Sequence, residues 1–422
     1  MAVAMAMAAG SVTIPLCEPH LGGHEWKYVK ECLDTGWVST VGRFVTRFEE
    51  EAASRVGAKY AVATVNGTSA LHIALMLAGV RPDEEVLVPT LTFIAPANAV
   101  RYIGAWPVFI DAEPRYWQMD VQKVADFLAR ECKFTHGALR NRHTGRRVSA
   151  LLPVHVLGHP VDMDPLLAIA ARYDLRVVED ATEALGAHYR GRAVGCPLGP
   201  GSHAACLSFN GNKLITTGGG GMIITDDEAL ARRARYLTTQ AKDDPVEYVH
   251  HEVGYNYRLT NLQAAVGVAQ LERLHGHVEA KRRIARAYAA AFDGLPGVDV
   301  MREATWARSA FWMYTVLVHA RTCGVTSRRL LALLGEAGIQ TRPLWQPLHQ
   351  SPAHRGAYAG DCSVAERLHR QALSLPCSVG LSGDAQTMVV TALAAACQRR
   401  TAARPQRKSR HGQRPIATVS CG

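Results

Sequence analysis

No apolar run in the sequence approaches the roughly 18 residues that a membrane-spanning helix needs. Met1 to Val12 is Ala/Met-rich, but no basic segment precedes it, so a secretory signal is not expected and the cytoplasm is. The ten cysteines form no C-x-x-C pair and no histidine cluster accompanies them. That pattern excludes a zinc site and a disulfide framework, and predicts reduced, structural thiols and no metal. No glycine stretch has P-loop or G-x-G-x-x-G spacing, which disfavours those modes of nucleotide binding. Acidic residues are missing from one place in particular: between Arg399 and Gly422 there are seven Lys/Arg and no Asp or Glu. The net charge of +10 is therefore mostly a tail, and the body is not a basic, nucleic-acid-binding domain. Internal repeats are absent as well. With 48% apolar residues, 36 Gly and 20 Pro, the composition is that of a globular chain.

Its 422 residues suggest one large and one small domain. Seven short apolar runs read as buried strands: Tyr60 to Val65, Glu85 to Pro89, Trp106 to Asp111, Ala150 to His155, Arg176 to Asp180, Ala204 to Phe209 and Gly220 to Thr225. Helical patterns separate most of them, as at Ala70 to Ala78 and Pro165 to Tyr173. Alternating strands and helices imply an α/β fold with a mostly parallel, doubly wound sheet and ligand groups at the carboxyl ends of its strands. A long helix is predicted from about Thr260 to Phe292, leading into the smaller α/β domain. The expected organisation is a flexible segment 1–13, a large domain with its N-terminal segment over 14–275, a small domain over 276–398 and a disordered basic tail over 399–422.

Three features follow strand ends. Asn66-Gly67-Thr68-Ser69 opens a helix with small side chains, hydroxyls and free N–H groups, the makings of an anion cradle or of an ordinary cap. Val177-Val178-Glu179-Asp180 ends a buried strand in two carboxylates, with Glu183 one turn later; such an end meets a cation or caps a helix. Ser208-Phe209-Asn210-Gly211-Asn212-Lys213 places a lysine in a short loop before Gly218-Gly219-Gly220-Gly221, well placed for a Schiff base. Together they ask for one ligand with a phosphate, a basic ring nitrogen and an aldehyde. Pyridoxal 5'-phosphate (PLP) has all three.

These stretches, with Gly36-Trp37-Val38-Ser39, Pro89-Thr90-Leu91-Thr92-Phe93, Gly254-Tyr255-Asn256-Tyr257-Arg258 and Gly338-Ile339-Gln340-Thr341-Arg342-Pro343-Leu344-Trp345, resemble the DegT/StrS family of PLP-dependent nucleotide-sugar aminotransferases. The resemblance runs from Ile14 to about Leu381. The hydrophilic Cys132 to Arg147 insert resembles the family's legionaminic-acid and bacillosamine-type branch. It implies an aspartate-aminotransferase-like (fold type I) protein with a seven-stranded sheet and a smaller C-terminal α/β domain. Lys213 would then hold the cofactor covalently and shuttle the proton. Asp180 would pair with the ring nitrogen, Gly67, Thr68, Ser69 and Ser208 would bind the phosphate, and Phe93 would stack on the ring. Asn256 would reach a neighbouring subunit's phosphate site, which implies a homodimer with shared sites. Trp37, Arg342, Trp345 and His349 become candidates for the sugar side. Glu183 is a further cofactor-binding candidate, although many members carry Gln or His there and Glu at Gly219, so both positions depart from the pattern. The implied reaction moves an amino group from glutamate to a UDP-linked 4-keto-6-deoxy sugar. The alternative is a non-catalytic PLP-binding regulator. Neither nucleic acid nor membrane is an expected partner.

Overall fold

The computed structural model describes residues 14–398 apart from 198, 200, 201 and 245; the expected flexible start and basic tail lie outside the described residues. The large sheet is built from β1 (Tyr60–Thr64), β2 (Glu85–Pro89), β3 (Trp106–Ile110), β4 (Val148–Leu151), β5 (Arg176–Asp180), β6 (Ser202–Ser208) and β7 (Gly221–Thr225). Its order is β1-β7-β6-β5-β4-β2-β3, and Tyr358–Ala359 adds a two-residue eighth strand beside β3. All neighbours are parallel except β7, which runs antiparallel to both β1 and β6. This is the expected α/β architecture with one strand more, too short to show a period in the sequence.

Helices cover both faces, which is why the strands read as continuous apolar runs rather than alternating ones. The helix Gly67–Leu77 packs through Leu71, Ile73 and Leu75 against Val62, Val88, Val178 and Ile223. On the other face Phe44, Phe48, Leu207, Phe209, Met222 and Val268 pack together. A second sheet of Val298–Val300, Tyr314–Val318 and Ala372–Leu375 packs with the helices Ser327–Glu336 and Gly383–Gln398. Residues 14–16 join this second cluster: Ile14 bonds to Gly338 and Gln340, and the Leu16 carbonyl accepts the Cys377 N–H at 2.8 Å.

Two expectations change. The predicted helix over 260–292 is two helices, Asn261–Glu272 and Leu274–Phe292, parted where the Arg273 N–H turns back to the Gln270 carbonyl. Both halves bury apolar faces, so the periodicity continues across the break. The thiols are not all reduced: Cys323 and Cys397, 74 residues apart, form a disulfide. A pairing over that separation leaves no local spacing to read. The Cys132–Arg147 insert forms a hairpin of Cys132–Thr135 and Ala138–Asn141. It is tied to the sheet by buried Glu85, which accepts from Asn141 Nδ2 at 2.9 Å and Thr144 Oγ1 at 2.7 Å.

Candidate active site

The carboxyl ends of β1, β2, β5 and β6 open onto a cavity of ≈ 240 Å³. Gly67 and Thr68 line it after β1, Phe93 after β2, Asp180 and Glu183 after β5, and Ser208 and Lys213 after β6; Trp345 adds a wall from the C-terminal half.

The cradle comes from the local chain. Asn66 caps the helix Gly67–Leu77 by accepting the Ser69 N–H at 2.8 Å, so Ser69 is buried in the cap while Gly67 and Thr68 open the first turn. N–H groups there have no intrahelical acceptor and favour an anion. A Cβ at Gly67 would lie 2.9 Å from Ser208 Cβ and 3.1 Å from Thr182 Cγ2, so only glycine leaves the cradle open. The glycine run supports it from behind: a Cβ at Gly221 would collide with the Asn66–Gly67 backbone. At Gly219 there is room, Gln263 Nε2 being 3.8 Å from the Cβ position, so its departure from the family's Glu is not steric.

Asp180 is 2% exposed, and its Oδ1 accepts the Thr182 N–H at 3.0 Å. Burial pushes its carboxyl up, against the Thr182 hydrogen bonds and the Lys213 charge. A carboxylate so held gains most from a cation placed against it. Lys213 Nζ lies 3.7 Å from Glu183 Oε1 and 4.0 Å from the centroid of the Trp312 ring. Burial raises Glu183 to about 7 even though Lys213 and the Leu157 N–H favour its charged form. Leu157 delivers that N–H at 2.8 Å from a left-handed backbone (φ 59), a conformation costly for leucine and held here by the site.

These residues fit pyridoxal phosphate: a helix-end cradle that a Cβ would fill, a buried carboxylate wanting a cation, a lysine at the cavity, and Phe93, exposed where it lines the cavity. Other expected residues lie elsewhere. Trp37 is exposed in a separate groove with Val41, Phe44 and Asn261. Arg342 is exposed and donates to the Thr341 carbonyl. His349 does not line the cavity and lies 2.8 Å from Thr90 Oγ1 and 3.3 Å from Glu366 Oε1. Asn256 is exposed, bridged to Thr239 and outside this cavity. Sequence reasoning missed Trp312, whose indole N–H donates to the Asn212 carbonyl at 2.7 Å; no motif near it in the chain pointed to the site.

The DegT/DnrJ/EryC1/StrS aminotransferase family matches residues 19–394. The GDP-perosamine synthase of Caulobacter vibrioides is 41% identical over 381 residues, 90% of this chain and 97% of that protein. Among solved structures, S. venezuelae DesV in complex with a ketimine intermediate superposes with a TM-score of 0.79 at 33% identity, over 89% of this chain and 95% of that one. DesI in the presence of its TDP-sugar product gives a TM-score of 0.82 at 29% identity, over 93% and 95%. A match that spans nearly every described residue, on a fold whose cavity fits the cofactor, leaves one conclusion: the chain belongs to the DegT/DnrJ/EryC1/StrS aminotransferases and is a PLP-dependent sugar aminotransferase.

Proposed function

We propose that the protein transfers the amino group of glutamate to a nucleotide-linked 4-keto-6-deoxy sugar, for surface-glycan or related sugar synthesis. The observation that carries this reading is the convergence of Gly67, Thr68, Asp180, Ser208 and Lys213 on one cavity at the strand ends. When bound, PLP supplies an electron sink that lets an amino-bearing carbon give up its proton. The N–H groups of Gly67 and Thr68 and the hydroxyls of Thr68 and Ser208 bind the phosphate. Asp180 keeps a proton on the ring nitrogen, and Phe93 orients the ring by covering one face. Lys213 Nζ takes the α proton of the donor; in the second half-reaction it gives a proton to the sugar carbon that receives nitrogen. Glu183, near neutrality and 3.7 Å away, steadies the freed ammonium.

Two nucleotides compete. The branch resemblance implies UDP, whereas the relative with 41% identity is named for a GDP sugar, and its similarity over 97% of its length favours GDP. The sugar-side roles of Trp37, Arg342 and His349 rest on the resemblance; Trp345 also lines the cavity. A homodimer belongs to the same reading. Asn256 lies outside its own cavity, and Val246, Tyr248 and Val253 of the preceding loop expose 67–79% of their surface in the single chain.

The test is a panel of GDP-, UDP- and dTDP-linked 4-keto-6-deoxy sugars, each with glutamate and the PLP-loaded protein. Release of 2-oxoglutarate with an aminated GDP sugar is expected. Absence of an amino sugar in every case, with an absorption spectrum that glutamate leaves unchanged, would reject transamination.

A further inference from the structure

Beneath the Lys213 loop lies a group of side chains that transamination does not use. Lys281, on the helix Leu274–Phe292, is 2% exposed. Its Nζ is 2.9 Å from the Trp312 carbonyl, 3.5 Å from Cys377 Sγ and 3.7 Å from Cys17 Sγ. Among the described residues no carboxylate pairs with it. A buried ammonium needs an anion, and the two thiols are the available source of one. The backbone brings them together, since the Leu16 carbonyl accepts the Cys377 N–H at 2.8 Å and the Glu18 N–H donates to Ser378 Oγ at 3.0 Å. The hydrogen bond from Cys17 and the Lys281 charge hold the Cys377 thiol down at about 6 against burial, while the Cys17 thiol is held up. The pair thus carries one proton and one negative charge, shared by two sulfurs at similar distances from Lys281.

This group touches the site. Cys17 Sγ contacts the Asn212 carbonyl at 3.6 Å, and Asn212 precedes Lys213. The Trp312 indole donates to that carbonyl, its own carbonyl holds Lys281, and its ring lies against Lys213 Nζ.

We propose that Cys17 and Cys377 are a disulfide-forming modification site, oxidised by hydroperoxides, that slows the enzyme from beneath Lys213. At rest the proton is on Cys17, but Cys17 is half-buried and Cys377 is 1% exposed, so oxidation starts at Cys17, whose proton passes to the Cys377 thiolate as its sulfur attacks. The Cys17 sulfur attacks one peroxide oxygen: an S–O bond forms, the O–O bond breaks and hydroxide leaves. The Cys377 sulfur then attacks the sulfenic acid, an S–S bond forms, and the departing hydroxide takes the Cys377 proton as water. One thiolate and one thiol are oxidised, and hydrogen peroxide is reduced to one water and one hydroxide, which takes its proton from solvent. Lys281 loses its anion and Asn212 loses its thiol contact, so Trp312 and the Lys213 loop shift. The cross-link itself is independent of the proposed reaction; its effect on turnover rests on the role of Lys213.

The PLP-loaded protein is treated with a small excess of hydrogen peroxide, capped with N-ethylmaleimide and mapped with a protease that separates Cys377 from Cys397. A peptide carrying Cys17 joined to one carrying Cys377 is expected. Turnover should fall roughly tenfold or more, the scale on which small displacements of reacting groups act, and dithiothreitol should reverse both. Cys17→Ser should keep its resting activity, form no cross-link and resist peroxide; because it retains the Cys323–Cys397 disulfide, it separates the two redox sites. Both thiols capped after peroxide, or oxidised without joining, would overturn the proposal, as would a cross-link that leaves turnover unchanged. If no sugar is aminated at all, the peptide map still decides the site.

Discussion

Lys213 and its two acidic neighbours make different demands on one small volume. Lys213→Ala should abolish turnover while the cradle and Asp180 still retain the cofactor; borohydride reduction of the wild-type holoprotein should label Lys213 alone, and label on another lysine would remove its assignment. Asp180→Asn should slow both half-reactions, because an amide does not hold a proton on the ring nitrogen. Glu183 carries a cost visible without cofactor. Its proton is bound more tightly in the folded protein, at about 7, than at its ordinary 4.5 in the unfolded chain. Stability from this group is therefore full below about pH 4.5 and is lost as the pH rises through 7. Relative to Glu183→Gln, the cofactor-free wild type should lose about 3 kcal/mol between pH 4.5 and 8. Urea midpoints of the two proteins across that range give the answer; parallel curves would mean folding leaves the Glu183 carboxyl at its ordinary value.

At the scale of elements, the sheet is joined to the C-terminal half by a carboxylate at the end of β3. Asp111 is buried, accepts from Lys123 Nζ at 2.7 Å and caps the helix Ser363–Gln371 through the Val364 and Ala365 N–H groups at 3.1 and 2.8 Å. Asp111→Ala leaves the Lys123 charge and the helix end short of a partner, so a loss of about 3 kcal/mol in urea unfolding is expected. Asp361→Ala, removing the exposed partner of the same lysine, should cost under about 1 kcal/mol. Equal losses would show that the capping of the helix adds nothing. Gly67→Ala acts on both stability and binding: its Cβ would lie 2.9 Å from Ser208 Cβ, so the urea midpoint should fall, and because it also fills the cradle, cofactor affinity should drop by about tenfold. The difference between these positions also explains what the sequence made legible. Gly67, Asp180, Ser208 and Lys213 each follow a strand by a few residues, and a parallel sheet brings such positions to one edge whatever the loops do. Trp312 and the Asp111 cap depend on how the second sheet docks, which no local period encodes. The Cys323–Cys397 disulfide escaped for the same reason. Trp37 and Arg342 were drawn from resemblance alone, and in the single chain both lie on its exposed surface.

The whole molecule raises the question of the second copy. The single chain leaves Trp26, Leu33, Trp37, Val38 and Val41 exposed near its N-terminal helices and Val246, Tyr248 and Val253 exposed ahead of Asn256, apolar surface of the kind a second copy would cover. If Asn256 completes the phosphate site of the opposite subunit, its loss removes a hydrogen bond to a charged group, about 1.5 to 3 kcal/mol, and weakens cofactor retention. Two impaired proteins then repair each other. Lys213→Ala still supplies Asn256, and Asn256→Ala still supplies Lys213, so a mixed dimer holds one site with both groups and one with neither. Random pairing of equal amounts in a two-fold dimer should restore about a quarter of wild-type sites. Were Asn256 to act within its own subunit, every site in the mixture would lack one group. The measurement is made at limiting PLP, where the Asn256→Ala homodimer is nearly empty, and subunit exchange is followed by mass spectrometry. Activity no higher than the mean of the separate variants, with exchange complete, would exclude the shared site while leaving the roles of Lys213 and Asp180 intact.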